Sequence, residues 1–460
     1  MVHSHSTTER LTLLDKVNVC LKDFGDHVMH LVFDCEGHVD REQLNRAVRL
    51  ALIAHPIMAQ QLMPGFFRYR WQPWNSEKLD QYSFVETIES DQKEKRIHDF
   101  LIREIDFLAQ PMVKVAIVRG TLSQQDTYQN NTNTYTEDTV CIKVSCIPID
   151  GRGFLLFCES LLAIYEKLSE NPNYQPKAGN LQQRSTKALV PYFTITDALK
   201  LIFFGLKNQL TDARTAHNWA FPYRSSNQIA KTYYCHRFNP STFYQIKDLR
   251  AQHNLTFNDI LLGAYYCALH DIIQPKKETL FCVLNTFDLR RHESAPCPDR
   301  VANYSSFVNS NVHLKQRWNF IDVCQRVKSS LDQRKAHYPG MTEGPFIWPL
   351  LSGLPFSISS SIVKALLKHR GEKIPVFTNV GIIHQNNMPM NGQPIKNVRP
   401  FAPLEFPPKL TVTLATSGDV VSLSVGYCRN HFQENHIHRL FQHMETLIQQ
   451  AHANANSAAA

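Results

Sequence analysis

The sequence predicts an α+β protein made of two layered lobes with a cleft between them. Three observations carry that prediction. The chain has 460 residues, too many for one ordinary core and enough for two domains of roughly 200 residues each. Each half mixes stretches of alternating hydrophobicity with stretches of helical spacing, the pattern of sheets covered by helices. A polar tract with prolines and glycine, Glu170 to Lys187, separates the halves and reads as a linker.

In order, His27 to Cys35 alternates and is a predicted strand. Asp40 then caps a helix with apolar positions at Leu44, Val48 and Leu52. That helix stops before His55-Pro56, because a residue preceding proline avoids the helical region. Phe66 to Gln72 is a second strand, Lys93 to Phe107 an amphipathic helix, and Met112 to Val118 and Val140 to Cys146 two further strands. The polar tract between the last two, Gln124 to Asp138, reads as an exposed or disordered hairpin tip. Phe154 to Leu168 is a helix that follows the loop Asp150-Gly151-Arg152-Gly153 directly. In the second half, helices are predicted at Thr196 to Leu210, Ser241 to Gln252, Thr256 to Ile272, Phe320 to Arg334 and Glu434 to Ala451. Strands are predicted at Thr232 to Phe238, Thr279 to Phe287, Val308 to Leu314, Val376 to Ile383, Leu410 to Leu414 and Val420 to Tyr427. The expected division is a first lobe over residues 1–169, a linker over 170–190, a second lobe over 191–452 and a disordered tail over 453–460.

Composition narrows the function. At 43% hydrophobic and 20% charged the chain reads as soluble and globular. Met1 to Arg10 lacks the apolar core of a signal peptide. The apolar stretch Phe346 to Leu367 is broken by Pro349, Gly353 and Pro355, so it is expected to be loop plus helix and not a membrane span. The 11 cysteines contain no CxxC pair, which points to reduced thiols and a cytoplasmic location. The 21 histidines form no metal-binding spacing, so no metal is expected. A formal charge of +8 suits an anionic partner. No basic stripe interleaved with aromatics argues for nucleic acid.

The chemistry is expected at Ser145-Cys146-Ile147-Pro148-Ile149-Asp150-Gly151, between a strand and a helix, a common place for sites. This run resembles HHxxxDG, the signature of the CoA-dependent acyltransferase and peptide-synthetase condensation superfamily, with Ser145 and Cys146 in place of the two histidines. Other elements resemble that family in the same order: Leu11-Thr12-Leu13-Leu14-Asp15, His55-Pro56-Ile57, Asp106-Phe107 through Pro111 to Val115, Thr256-Phe257-Asn258-Asp259, Asp288-Leu289-Arg290-Arg291, Ala302-Asn303-Tyr304 and Phe377-Thr378-Asn379-Val380-Gly381. The resemblance spans nearly the whole chain. It implies two chloramphenicol-acetyltransferase-like lobes in a V-shaped pseudo-dimer, with the site in an interface tunnel. It also implies a second histidine acting as base on an alcohol or amine that attacks a thioester, and an aspartate paired with an arginine of the second lobe.

The departures from the motif define the question. A general base needs hydrogen-bond reach and a pKa near the working pH; histidine meets both conditions. Cys146 at the inner end of an apolar strand is a poor base, with a raised pKa expected, and Ser145 is no base at all. Cys146 therefore has three readings: an inert strand residue, a binding residue where positioning alone drives attack on a thioester, or a nucleophile that carries the acyl group. Neighbouring sequence offers no activating histidine; His292 and His384 could approach from the second lobe. Asp150 needs a cation if buried: Arg290 by family position, or Arg152 next door, unless Asp150 sits in an exposed Asx turn. Gly151 and Gly153 are expected to serve the turn and the packing of the next helix. Thr378, Asn379 and Asn303 could stabilise an oxyanion or be polar residues at strand edges.

The expected function is acyl transfer from a CoA or carrier-protein thioester to an amine or alcohol, with no cofactor beyond that co-substrate. The expected partners are acyl-CoA or an acyl carrier protein and a small acceptor. Two alternatives stand beside it: a non-catalytic scaffold that binds a carrier protein, and a tunnel enzyme of different chemistry such as cyclisation or rearrangement.

Overall fold

The computed structural model describes residues 9–65, 68–106, 108–120, 137–184, 194–212, 221–276, 278–292, 300–315, 317–342, 344–370 and 373–459. The first half folds as β1 (Glu9–Arg10), α1 (Leu13–Leu21), β2 (Val28–Cys35), α2 (Arg41–Ala54), β3 (Gln60–Met63), β4 (Arg70–Pro73), α3 (Ser76–Gln81), β5 (Val85–Ser90), α4 (Lys93–Ile102), β6 (Val113–Gly120), β7 (Asp138–Ser145) and α5 (Gly151–Glu170). The second half adds α6 (Ile195–Asp212), β8 (Lys231–Arg237), α7 (Pro240–His253), α8 (Phe257–Ile273), β9 (Thr279–Asp288), β10 (Ser305–Leu314), α9 (Phe320–Lys335), α10 (Gly344–Gly353) and α11 (Phe356–Arg370). It ends with β11 (Val376–Ile382), β12 (Ile395–Phe401), β13 (Thr411–Ser417), β14 (Val420–Cys428) and α12 (Glu434–Ala459).

Local chemistry fixes the helix starts. The Asp40 side chain accepts from the Glu42 and Gln43 amides at the head of α2. Thr12 with Asp15, and Thr256 with Asp259, form reciprocal capping boxes on α1 and α8. The α+β class holds. A five-stranded sheet runs β12-β2-β7-β6-β5 and a six-stranded sheet runs β10-β9-β11-β13-β14-β8. In the first sheet, alternation sends Leu31, Phe33, Ile142 and Val144 into a core with α2 and α5. It sends Val32 and Cys141 to the other face, against Ile97, Phe100 and Leu101 of α4. The second core is built on α8, whose Tyr265 and Tyr266 are fully buried.

The structure corrects the expected organisation in four places. First, β12 belongs by sequence to the second lobe but pairs with β2, Arg399 opposite Val32, and so completes the first sheet. Second, the polar tract is not simply an exposed linker: it ends in a 3-10 helix, Leu181–Arg184, and Arg184 is buried against the first lobe; residues 185–190 lie outside the described residues. Third, the low-complexity tail continues α12 to Ala459, because its alanines, the best helix formers, extend a helix that is already docked. Fourth, the helix from Lys93 ends at Ile102, where Arg103 turns extended, and the strand expected from Phe66 begins at Arg70. Most of the tract from Gln124 to Asp138 lies outside the described residues. Phe346 to Leu367 falls in α10 and α11, two helices separated after Gly353. Among the described residues no helix is long and apolar enough to cross a membrane.

Candidate active site

The loop after β7 is held on three sides. Asn18 of α1 donates to the Cys146 carbonyl at 2.6 Å. Arg184 donates to the Pro148 carbonyl at 2.8 Å and to Asp15 at 2.7 Å. Asp15 in turn accepts from the Trp71 indole at 3.0 Å. The third hold comes from the second lobe. Arg290 meets Asp150 through two parallel hydrogen bonds, Nη1 to Oδ2 at 2.8 Å and Nη2 to Oδ1 at 3.1 Å, the bidentate geometry of a strong charge-assisted pair. Asp150 also accepts from the Gly153 amide at 2.7 Å, which caps α5, and from the Tyr304 amide at 2.6 Å. Arg290 donates further to Asp288 and to the carbonyls of Arg300 and Ala302. Burial alone would lower the Arg290 pKa, but the Asp150 and Asp288 carboxylates outweigh it and push it up. Arg152, the other cation considered for Asp150, is exposed.

The two glycines differ. A Cβ on Gly153 would lie 2.7 Å from the Ala302 carbonyl, whereas one on Gly151 would meet nothing within 4 Å. Only Gly153 is required for the close approach of α5 to the second lobe. Asn303, buried between Ala302 and Tyr304, accepts from the Ser305 amide at 3.2 Å.

Cys146 belongs to the first-lobe core and is 9% exposed. Burial, with the Asp26 and Glu405 carboxylates, pushes its thiol pKa up. Its sulfur nevertheless has a histidine partner that sequence proximity did not reveal. His27 Nδ1 lies 3.5 Å from Cys146 Sγ. The other ring nitrogen, Nε2, lies 2.7 Å from the carbonyl of Leu21, the last residue of α1. A carbonyl only accepts, so Nε2 carries the proton and Nδ1 presents its lone pair to the thiol. The His27 backbone holds φ at 52°, the left-handed region that is uncommon for a non-glycine residue. The Cys146 amide donates to the His27 carbonyl at 2.8 Å.

The two second-lobe histidines that could have approached Cys146 make other contacts. His292 faces the Pro339 carbonyl at 2.8 Å, and His384 is exposed at the head of a short 3-10 helix, Gln385–Asn387. Ser145 is buried, and its hydroxyl accepts from the Ile147 amide at 3.2 Å, which makes it a turn-former. Thr378 shares a hydrogen bond with Thr286 across the sheet at 2.8 Å. The Asn379 amide donates to Asn258 at 3.1 Å. The structure thus gathers Asp150, Arg290, Gly153 and the Ala302–Tyr304 backbone at one latch, while Cys146 pairs separately with His27 at the start of the same loop. The signal for His27 lay in register: β2 pairs with β7 so that Val28 opposes Ser145, which sets His27 opposite Cys146. Among the described residues no group of three His, Cys, Asp or Glu is placed to hold a metal.

No family model matches the chain, and no curated protein matches it either. Solved structures do. The chain is similar to trichothecene 15-O-acetyltransferase from Fusarium sporotrichioides, at 11% identity and a TM-score of 0.72 over 96% of this chain and 94% of that one. It is similar to the first condensation domain of the CDA synthetase, at 13% identity and a TM-score of 0.69 over 97% and 96% of the two chains. It is also similar to the epimerization domain from the third module of tyrocidine synthetase B, at 13% identity and a TM-score of 0.63 over 97% of each chain. The chain therefore shares the fold of these acetyltransferase, condensation and epimerization structures. Those proteins are named for more than one reaction, so the chemistry must be argued from the site.

Proposed function

We propose that this protein transfers an acyl group from a CoA or carrier-protein thioester to an amine or alcohol, through Cys146. One observation carries the reading: the Cys146 thiol faces the lone pair of His27 Nδ1 while the Leu21 carbonyl fixes the opposite nitrogen as the donor. A nucleophile, a base and a group orienting the base are the parts that acyl capture needs. The raised thiol pKa keeps the proton on sulfur at rest, so His27 removes it as the sulfur attacks. The S–C bond to the acyl carbon forms, the donor thiolate leaves, and the His27 imidazolium returns the proton to it. The acceptor then gives its proton to His27, its nitrogen or oxygen bonds to the acyl carbon, and Cys146 leaves and regains the proton. Asp150 and Arg290 lock the loop and touch no reactant.

The test is free-thiol release from a panel of acyl-CoA and acyl-pantetheine donors with mixed amines and alcohols. Wild type is compared with Cys146→Ala and His27→Ala. The proposal expects release that Cys146→Ala abolishes and His27→Ala reduces at least a hundredfold, the usual contribution of a general base. Release untouched by Cys146→Ala would leave catalysis by positioning alone. One observation favours a second reading, a non-catalytic binding module: the thiol is nearly buried in an apolar core. That reading expects no release from any donor.

A further inference from the structure

We propose that α6 docks the protein on an anionic lipid surface. The helix is amphipathic in the wrong sense for a core element. Its buried side is narrow, with Leu201 and Gly205 the buried residues. Its large apolar residues face outward: Ile195 is 83% exposed, Leu199 62%, Ile202 42%, Phe203 62%, Leu206 50% and Leu210 68%. At 3.6 residues per turn these six positions fall within an arc of roughly 100°, one continuous stripe along the helix. Six such side chains along one arc form an apolar patch of the kind that marks an interaction surface.

The charges select the occupant. Lys200 and Lys207 are exposed and lie on the rim of the stripe by the same helical geometry. The two acids of the helix lie on the far side: Asp197 accepts from the Tyr338 hydroxyl at 2.6 Å, and Asp212 pairs with Arg334. An apolar stripe edged on one side by lysines, with the acids on the opposite face, suits a helix lying in an anionic bilayer interface. Beside it, Leu199, Phe203, Phe204 and Tyr338 line an open groove of about 560 Å³, which gives the interface room below the helix. A second copy packing antiparallel through this stripe would bring the two lysine rims together.

The test is sedimentation of the full chain with vesicles of phosphatidylserine and phosphatidylcholine, and with phosphatidylcholine alone. The proposal expects binding to the anionic vesicles that weakens with salt. Lys200→Gln with Lys207→Gln should lower the partition constant about 25-fold, roughly fivefold per lysine. Phe203→Glu with Leu206→Glu should abolish binding. Both pairs are on the surface, so far-UV circular dichroism and thermal unfolding should match wild type. No sedimentation with anionic vesicles overturns the proposal, as does binding indifferent to Phe203→Glu with Leu206→Glu. A concentration-dependent dimer that this pair dissolves, without vesicle binding, replaces it with self-association. The readout does not involve acyl transfer, so this inference and the proposed function fail separately.

Discussion

Replacing Asp150 with alanine removes a side chain that bonds the Gly153 amide of α5, the Tyr304 amide just before β10 and Arg290 together. Two losses add. The cap on α5, the 2.7 Å bond from the Gly153 amide, is worth about 1 kcal/mol. The ion pair with Arg290, whose side chains are 4% and 9% exposed, costs about 3–5 kcal/mol when one partner is removed. Arg290 keeps Asp288, which is 34% exposed, and two carbonyls, so the lower end applies and the total is about 4 kcal/mol. Arg290→Met leaves Asp150 with the Gly153 and Tyr304 amides and should cost about 3 kcal/mol. The double variant should cost about 5 kcal/mol, less than the sum, because the two residues contact each other and couple by about 2 kcal/mol. The assay is urea unfolding followed by tryptophan fluorescence and by far-UV circular dichroism, since two lobes need two probes. A cost below about 1 kcal/mol for Asp150→Ala, or full additivity in the double variant, would refute the latch.

The two loop glycines should separate. Gly153→Ala places a Cβ 2.7 Å from the Ala302 carbonyl and should cost about 1–3 kcal/mol, while Gly151→Ala, with open space around it, should be neutral or stabilise by up to about 1 kcal/mol; thermal unfolding of both variants checks this. Lys143 sits under α4 and donates to the Phe100 and Arg103 carbonyls, and burial pushes its pKa from 10.5 down to about 7. Between those values the unfolded chain holds a proton that the folded chain has released, so this residue makes stability rise with pH across that window. Measured by urea unfolding from pH 7 to 9, wild type should gain on Lys143→Met by roughly 1 kcal/mol per pH unit; a flat difference contradicts the assignment.

Much of the fold was legible because its signals are local. Asp40 and Thr256 mark helix starts by their own side chains, and His55-Pro56 ends α2 by steric exclusion. The Asp150–Arg290 pairing followed from the cost of burying an unpaired carboxylate together with the family order of the motifs. What remained hidden depends on contacts between distant segments. The chain returns β12 to the first sheet after more than 350 residues, and no propensity encodes that pairing. His27 reaches Cys146 across 119 positions of sequence through strand register, and Arg184 acts as a clamp although its own neighbourhood reads as a polar linker. That partner lies neither beside the motif in sequence nor in the second lobe but at the start of the adjacent strand.

In the proposed mechanism Cys146 carries the acyl group and His27 is its base. Intact-protein mass spectrometry after a brief incubation with an acyl-CoA donor, without acceptor, tests it most directly. The mechanism predicts a mass increase of one acyl group, mapped to Cys146 by peptide sequencing. The adduct should be absent in Cys146→Ala, formed far more slowly in His27→Ala, and discharged when an amine or alcohol acceptor is added. An unmodified Cys146 under conditions where the same sample releases free CoA and forms product would contradict it.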